Sequence, residues 1–475
     1  MNRKNFFMLL LLLFVIAFII DTSFFNIYGT IVLLGIALCV FLFFIMYREE
    51  NNAIARVYFR PIHLFMISFY IVCFQSPIDI LLGYQVDPYL VGKIDLMPEA
   101  VKVSLLGIIS FLIGYITNTQ SVNDTGIAKK IQYAPTTIYK VLGSTLLFLI
   151  FLFIPQGILF GGYHTEALQE SNYKYFASWS MIMCAAFFIQ YIINMKRQNR
   201  GKDWSVMQLI KDIGWWQNIN IIVYAIVILN LGDRGGVIYM VTAYYLVYIS
   251  VTGKCPSKKT LIVGITTGVL FAAFLGYSKG FRDNNTIFER VETTWESNPY
   301  EDLHESVLTP TYELSLSYRC LPFAIQDVQL FENYGYGRFQ LYNMLPVIPF
   351  TGQLVDLKGS GYYITRMIQG DNPNYGNGTT IIADFYLDGG LIFVILGMFI
   401  FGYLVKNFDL ILFANKKSSF VMYCSAFCFS MYFISTPRST ALGALKAAVW
   451  VAVLLYLYQQ FYNYGNVKIK SSLKE

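Results

Sequence analysis

A short charged run separates two long apolar segments near the middle of the chain. It reads NLGDRGGVIYM from Asn230 to Met240 and places Asp233 and Arg234 among glycines. A helix that begins after such a turn offers free N–H groups and the positive end of its dipole, and arginine adds a planar five-donor fork. These residue types indicate a phosphate site at the turn. The alternative is that Arg234 only pairs with Asp233 or extends to a nearby interface.

Two further cations occur in similar positions. Arg282 lies in YSKGFRDNNT, directly after an apolar run, and Arg438 follows a proline in ISTPRSTALGALK. The second pattern predicts that Arg438 begins a helix in a tight external turn, with Lys446 about 12 Å further along that helix. A lysine inside an apolar helix is costly, so Lys446 is a candidate for substrate binding, with a snorkelling or paired structural role as the alternative.

Weaker candidates lie in a long polar region. Asp384 in IIADFYLD is a candidate acid or base, although a helix dipole also favours an aspartate at a helix start. His304 in EDLHESV is the histidine best placed to act as a base. Three arginines of this region are substrate-binding candidates that are also typical of ordinary solvated or paired loop residues: Arg319, Arg338 and Arg366.

The composition shows which elements must position these residues. The 475 residues are 56% hydrophobic and 13% charged, with a mean hydropathy of +0.51, whereas soluble domains carry about 25% charged residues. Apolar windows long enough to cross a hydrocarbon core of about 30 Å recur along the chain and predict about twelve transmembrane helices. The predicted spans are 5–20, 26–47, 62–83, 99–117, 138–160, 175–195, 217–232, 235–252, 260–278, 386–405, 418–435 and 439–462.

The distribution of lysine and arginine predicts the orientation. Most of these residues fall in alternate loops and tails, which places both termini in the cytoplasm. The short loops on the other side contain only Lys93, Arg234 and Arg438. The net charge of +6 is explained by the cytoplasmic residues and does not indicate nucleic-acid binding. The first apolar run lacks a small-residue cleavage site, so we expect it to be retained.

These features divide the chain into three parts. We predict an N-terminal transmembrane bundle of about nine helices over 1–278, a large external loop or lid over 279–385, and about three helices with a cytoplasmic tail over 386–475. Within the loop, TPTYELSLSYRCLPFAIQDVQLFEN has the apolar spacing of an amphipathic helix, and the many tyrosines suit carbohydrate. The seven cysteines show no disulfide or zinc spacing, and no nucleotide-binding or metal motif occurs. We therefore expect no metal and no other cofactor.

Three stretches resemble one family. NLGDRGGVIYM, YGRFQLYNMLPVIPFTG and GNGTTIIADFYLDGGLIFVILGMFIFGYLV are similar to the oligosaccharide repeat-unit polymerases, the Wzy-type O-antigen and capsule polymerases. The resemblance covers residues 215–405 together with the topology. The chain differs at Leu387-Asp388-Gly389, where the family often has an aromatic residue before the glycine, and this puts the role of Asp388 in question.

The resemblance implies an all-α polytopic protein of the bacterial inner membrane, GT-C-like, with one large periplasmic loop. It implies a glycosyltransferase that moves a growing glycan from undecaprenyl pyrophosphate onto an incoming lipid-linked repeat unit, without a metal. Arg234, Arg282 and Arg438 would stabilise the leaving pyrophosphate. Asp384 would act at the acceptor hydroxyl, and Asp233 would lie in the substrate site. The implied partners are membrane lipid and a chain-length regulator protein, and no nucleic acid.

Two other functions use similar features. An O-antigen ligase would take the same donor but pass the glycan to a different acceptor. A lipid-linked oligosaccharide flippase or another secondary transporter would also need many spans and basic residues. Such a transporter seldom needs an external domain of about 100 residues, and it often shows two similar halves with interrupted spans.

Overall fold

The structure of the chain is a computed structural model. It describes residues 1–22, 27–47, 49, 54, 57–84, 87–119, 134–154, 173–230, 235–257, 259–260, 263, 266, 306–308, 311–331, 334–348, 351, 359–371, 373, 376–414 and 416–472. The described residues form helices and turns and no strand, which confirms the all-α part of the predicted fold class. Four candidate residues lie outside the described part: Asp233, Arg234, Arg282 and His304.

The described N-terminal part is a bundle of helices. The helices are α1 (Arg3–Ile19), α2 (Ile27–Met46), α3 (Pro61–Leu81), α4 (Met97–Thr117), α5 (Thr137–Phe153), α6 (Tyr173–Gln198), α7 (Val206–Ile213), α8 (Trp215–Asn230) and α9 (Gly235–Thr252). One π-helical turn, Ile71–Gln75, interrupts α3. Helix α7 is bent by 97° from α8, at Gly214.

Six described helices are long and apolar enough to cross a membrane, or seven if the bent pair of α7 and α8 is counted as one span. Each predicted span except the ninth overlaps a described helix. The ninth, 260–278, lies almost entirely outside the described residues. The chain is therefore consistent with a polytopic membrane protein, while the number twelve stays a prediction.

The predicted external loop contains short helices in its described part. The segment Tyr312–Ser315 leads through a 3-10 turn, Leu316–Arg319, into α10 (Cys320–Phe331), which confirms the helix predicted from the apolar spacing. Two more helices follow, α11 (Arg338–Met344) and α12 (Ser360–Gln369).

Helix α13 (Ile381–Phe413) begins before the predicted span 386–405 and is broken within it. Gly389 and Gly390 have non-helical backbone angles, and Gly390 has a φ of 62°, which favours glycine. A β-carbon on Gly397 would lie 2.6 Å from the ring of Phe385, although the same residues in a straight helix would be about 18 Å apart. The first arm (381–388) therefore folds back beside the second arm (391–413).

The second arm of α13 packs closely against α4 through glycines. A β-carbon on Gly402 would lie 1.9 Å from the carbonyl oxygen of Phe111, and one on Gly114 would lie 2.0 Å from that of Phe399. Only glycine permits this approach of two backbones, as is common where membrane helices associate. These two helices form the centre of the bundle.

The C-terminal part corrects two predictions. After α14 (Phe420–Tyr432), Arg438 ends a 3-10 turn, Thr436–Arg438, instead of beginning a helix. Ser439 has extended backbone angles, and its hydroxyl bonds to the carbonyl of Thr436 at 3.3 Å, which competes with helix formation. Helix α15 begins only at Leu445 and continues to Ser472. Lys446 therefore lies in the first turn of α15, and the predicted depth of this residue along a helix from Arg438 is wrong.

Candidate functional site

Asp388, at the end of the first arm, anchors helix α11. Its carboxylate accepts backbone hydrogen bonds from Gly337 and Phe339 at Oδ1 and from Gln340 at Oδ2, each of 3.1 Å. The contact is tight, because a β-carbon on Gly335 would lie 2.4 Å from Oδ1. Asp388 thus satisfies N–H groups that helix α11 leaves free at its start. Its role in this structure is to hold α11 on the first arm.

Asp384 lies one turn earlier and is completely buried. Gln340 donates from Nε2 to its Oδ2 at 2.7 Å, and Asn343 donates from Nδ2 to its Oδ1 at 3.0 Å. Thr380 caps the helix that carries Asp384 by accepting from the N–H of Ala383 at 3.1 Å. Two neutral amides of α11 therefore position this carboxylate, and α11 covers it.

Arg319 is paired and fixes the segment that leads into α13. Its Nη1 lies 2.9 Å from Asp87 Oδ2, its Nη2 donates to Asn377 Oδ1, and its guanidinium carbon lies 5.2 Å from the ring centre of Tyr89. The residue is only 8% exposed. The charge of Arg319 is thus balanced by a buried aspartate, which indicates a structural role.

The turn that carries Arg438 contacts two long helices of the bundle. Helix α14 has 13 residues, about 20 Å in length against a hydrocarbon core of about 30 Å. Phe433, just after this helix, has its ring 6.3 Å from that of Phe65 in α3 and 6.2 Å from that of Phe401 in α13. The 3-10 turn with Arg438 also packs against these two helices. The turn that carries Arg438 therefore packs against α3 and α13, and its predicted position on the external side stays a prediction.

The side chain of Arg438 is solvent accessible and makes no ion pair or hydrogen bond within the described ranges. The charged and polar groups that act on it electrostatically are Cys320, Arg319 and Tyr239. Since Arg319 is held by Asp87, no described carboxylate balances the charge of Arg438. An unpaired cation inside a membrane bundle is costly and is typical of a binding site.

Comparison with known families decides which class of protein carries this arrangement. The sequence model of the family described as O-antigen polysaccharide polymerase Wzy matches residues 4–463. The chain belongs to this polymerase family. A search of curated proteins and a search of solved structures each found no significant match. The match extends the resemblance from residues 215–405 to nearly the whole chain, and Wzy polymerases act on lipid-linked oligosaccharide repeat units in the membrane.

The remaining described candidates of this Wzy family member lie in different surroundings. Arg366 is exposed and pairs with Asp371. Arg338 lies 4.8 Å from the ring centre of Phe339. Burial raises the pKa of Asp327 above its usual value, and the charge of Arg338 opposes part of this rise. Lys446 is half-buried in the first turn of α15. The structure brings Arg319 and Arg438 together and does not bring Arg366 to them.

The run that carries Asp233 and Arg234 leads directly into α9. Tyr239, in the second turn of α9, donates to Ser435 Oγ at 2.8 Å, and its ring lies 4.2 Å from that of Tyr432. Helix α9 therefore packs against the segment that carries Arg438. The positions of Asp233, Arg234, Arg282 and His304 themselves lie outside the described residues.

Sequence reasoning missed three residues that build the site. Gln340 and Asn343 hold Asp384, and Asp87 balances Arg319. The spacing of three between Gln340 and Asn343 places both amides on one face of a helix, which is a signal that the sequence contained. No local pattern marks Asp87 as a partner of Arg319, since 232 positions separate them.

A second buried cluster of charges lies at the far end of α13 and was predicted only as cytoplasmic basic residues. Arg60 Nη1 lies 3.3 Å from Asp409 Oδ2 and 3.6 Å from Glu49 Oε2, and Lys406 also pairs with Glu49. Tyr115 donates to Asp409 at 2.7 Å and accepts from Arg60 at 2.6 Å. This cluster holds two cations and two anions, so it is formally neutral.

Two unused hydrogen-bond donors lie in the segments that contact Asp388 and Arg319. Arg338 Nε and Asn377 Nδ2 are buried and have no hydrogen-bond partner among the described residues. Buried donors without partners are uncommon in proteins and indicate a ligand or water. No group of three His, Cys, Asp or Glu residues that could hold a metal occurs in the part of the chain that the structure describes.

Proposed function

We propose that the chain polymerises undecaprenyl-pyrophosphate-linked oligosaccharide repeat units into O-antigen or capsular polysaccharide, at the periplasmic face of the bacterial inner membrane. Membership of the Wzy family supports a glycosyltransferase-type polymerisation in a multi-pass membrane protein. We further propose that both termini are cytoplasmic and that a chain-length regulator acts as a partner. The observation that carries the proposal is Arg438, a solvent-accessible cation between helices without a described acidic partner.

The reaction needs positive charge where the lipid leaves. The acceptor hydroxyl attacks the anomeric carbon of the donor glycan, a carbon–oxygen bond forms, and the bond from that carbon to the pyrophosphate oxygen breaks. The pyrophosphate then carries the electron pair of the broken bond. A guanidinium can stabilise this developing charge with two parallel hydrogen bonds. Arg438 is the described residue that fits this role, and we propose Arg234 and Arg282 as further phosphate ligands with Asp233 as a residue of the same site.

We propose that this reaction is independent of metal, because the arginines supply the charge that a divalent ion provides in other transferases. Arg319 contributes to the positive potential around Arg438 while it is held by Asp87. Arg338 has an unused buried donor and is proposed to bind the glycan or its phosphate. Lys446, Arg366 and His304 stay proposals for substrate binding.

The proton of the acceptor hydroxyl needs a base, and Asp384 is our proposal. In the described conformation its oxygens are occupied by Gln340 and Asn343 and it has no exposed surface. A proton-accepting role therefore requires that the acceptor sugar displaces one of these amides. Sugar hydroxyls can replace amide hydrogen bonds at little net cost, since each exchange keeps the number of bonds.

Exposed aromatic side chains on the same external region suit the glycan. Tyr336 is 80% exposed and lies directly before α11, with its ring 6.0 Å from that of Tyr334. Tyr362 in α12 is 38% exposed. Rings at such positions can pack against the C–H faces of sugars, and we propose Tyr336 as the outermost contact.

The decisive experiment uses the purified full chain in lipid nanodiscs with lipid-linked repeat units, and the products are separated by length. A polymerase gives a ladder of glycans that differ by one repeat unit. A ligase gives no ladder unless a lipid A core acceptor is added, and a flippase gives no covalent product. The absence of a ladder from folded protein with the correct repeat unit would overturn the proposal.

Two arginine variants provide a matched pair in this assay. Arg438→Ala is expected to lower the rate of ladder formation about 100- to 1,000-fold, the range for removal of one donor to a developing anion. Arg200→Ala removes an exposed arginine that pairs with Asp212 and is expected to keep most of the activity. Equal activities of the two variants would contradict the role of Arg438.

The role of Asp384 is tested separately. Asp384→Asn is expected to lower the rate about 100-fold or more if the carboxylate accepts the proton. Gln340→Ala removes a positioning bond but keeps the carboxylate, so it should mainly change the KM for the acceptor. If Asp384→Asn keeps the wild-type rate and pH profile, Asp384 is only a positioning residue.

A further inference from the structure

A small cavity inside the bundle lies apart from the site around Arg438. It is formed where α5, α6, α8 and α9 pack together. Its polar lining comes from Tyr139 of α5, Ser180 and Cys184 of α6, and Gln217, Asn220 and Tyr224 of α8, and Gly143 of α5 also lines it. Among the residues that the structure describes, no lysine, arginine, aspartate or glutamate lines it. A ligand of this cavity is therefore neutral.

Three of its polar atoms have no partner. They are the hydroxyl of Tyr139, Oγ of Ser180 and Oε1 of Gln217, and all are buried without a hydrogen bond to any described residue. The exposed fractions of these residues are 3%, 6% and 4%. A buried polar atom without a partner costs about 1–3 kcal/mol. Three such atoms around one cavity indicate a missing common partner.

The other polar groups around the cavity are satisfied, which narrows the chemistry of that partner. Asn220 donates to the carbonyl of Lys140 at 3.2 Å and accepts from Ser144 at 2.9 Å. Gln217 uses its Nε2 towards Cys184 Sγ at 3.8 Å. The free oxygen of Gln217 can only accept, whereas the hydroxyls of Tyr139 and Ser180 can donate. A single hydroxyl group or a water molecule satisfies this set, because it donates and accepts.

The volume agrees with one such group. The cavity has a volume of about 20 Å³, and one water needs about 10–15 Å³. Gly143 keeps the space open, since a β-carbon on it would meet nothing closer than Asn220 Nδ2 at 3.9 Å. We propose that this cavity is a binding site for one neutral hydroxyl, which comes either from water or from the headgroup of a glycerol-based lipid.

The test rests on the sign of changes in thermal stability. If the site is occupied, Ser180→Ala removes a hydrogen bond and Gly143→Ala displaces the bound hydroxyl, so both lower Tm. If the site is dry, Ser180→Ala removes a costly unpaired group and Gly143→Ala fills empty space, so both raise Tm. The two substitutions test the occupancy of the cavity independently, one by removing a hydroxyl and the other by adding a methyl group. Neither residue belongs to the proposed active site.

Each substitution has a matched control in the chain. Ser250 is 5% exposed and also lacks a partner among the described residues, but it does not line the cavity. Gly35 in α2 has nothing within 4 Å of an added β-carbon, so Gly35→Ala measures the gain in helix propensity alone. We expect Ser180→Ala and Gly143→Ala to have Tm values about 1–2 °C below those of Ser250→Ala and Gly35→Ala.

Measurements in two media distinguish water from lipid as the source of the hydroxyl. The full chain is measured in lauryldimethylamine oxide micelles, in which water is the only hydroxyl, and again with added monoolein, which has a glycerol headgroup. Equal differences in both media identify water, and differences that appear only with monoolein identify a lipid hydroxyl. If both variants melt at or above their controls in both media, the cavity is dry and the proposal is wrong.

Discussion

The two clusters of buried charge around α13 differ in how completely they are balanced. At the far end of the second arm, Arg60 and Lys406 face Glu49 and Asp409, and Tyr115 connects them. Around the first arm, Asp384 and Asp388 are held by amides and backbone N–H groups, and Arg438 has no acidic partner within the described residues. A balanced buried cluster stabilises one arrangement of helices, whereas an unbalanced one is available to a charged substrate.

The largest effect is expected from breaking the balanced cluster. Arg60→Gln leaves Glu49 and Asp409 buried with one cation, which should cost about 3–5 kcal/mol of the free energy of unfolding. Chemical unfolding in detergent measures this loss. Arg200→Gln, which breaks an exposed pair with Asp212 at 3.6 Å, is the control and should cost less than about 1 kcal/mol. Similar losses in both variants would mean that the buried cluster stabilises the fold no more than an exposed ion pair does.

The second-largest effect is expected at Asp388, which anchors α11. Asp388→Asn places an N–H₂ group where a carboxylate oxygen accepts from the backbone, so at least one N–H loses its acceptor. We expect a loss of about 1–3 kcal/mol, together with faster proteolysis within residues 334–348. Asp371→Asn, at an exposed aspartate in the same region, should change neither quantity. Unchanged proteolysis of Asp388→Asn would show that α11 is held by other contacts.

A smaller effect separates charge from geometry at Arg438. Arg438→Lys keeps the positive charge but loses the planar fork, so we expect polymerisation about tenfold slower than wild type. Its Tm should stay within about 1 °C of wild type, because no described bond of Arg438 is lost. Wild-type activity in this variant would show that a point charge is sufficient and that no bidentate contact forms.

The smallest effect is expected from a double substitution that keeps the buried cluster around Arg60 electrically neutral. Removing the pair of Glu49 and Lys406 together, as Glu49→Gln with Lys406→Met, keeps the cluster neutral. The double variant should stay within about 1 kcal/mol of wild type, although each single change leaves a buried charge and should cost more. Additive losses would contradict a coupled cluster. The same medium and unfolding assay serve for all three variants.

The helices could be predicted from the sequence because apolar length is a local property. The predicted span 235–252 matches α9, and the amphipathic spacing before residue 333 predicted α10. The fold-back of α13 could not be predicted in the same way. Residues 386–405 are predicted as a single span, and the contact of Phe385 with Gly397 depends on the backbone angles of Gly389 and Gly390.

Charged residues were less predictable than helices because their partners are distant in the chain. Arg60 and Lys406 are among the basic residues that the sequence places in cytoplasmic loops. In the structure Arg60 pairs with Asp409, 349 positions away, and Lys406 pairs with Glu49, 357 positions away. Arg438 was found from its rarity on one side of the membrane. Its position at the end of a 3-10 turn, and not at the start of a helix, was not predicted, because the local sequence does not show the extended backbone of Ser439.

The stretch between the two clusters sets a distance that the chain cannot easily change. From Gly389 to Val405 no residue is charged, and at 1.5 Å per residue this run extends roughly 25 Å, close to the thickness of the hydrocarbon core. Lys406 and Asp388 mark its two ends, so sliding α13 in either direction would bury a charge in lipid. Helix α11, fastened to Asp388, is thereby held at a fixed distance from the charge cluster around Lys406. A glycan of any length would meet the same fixed platform at every addition.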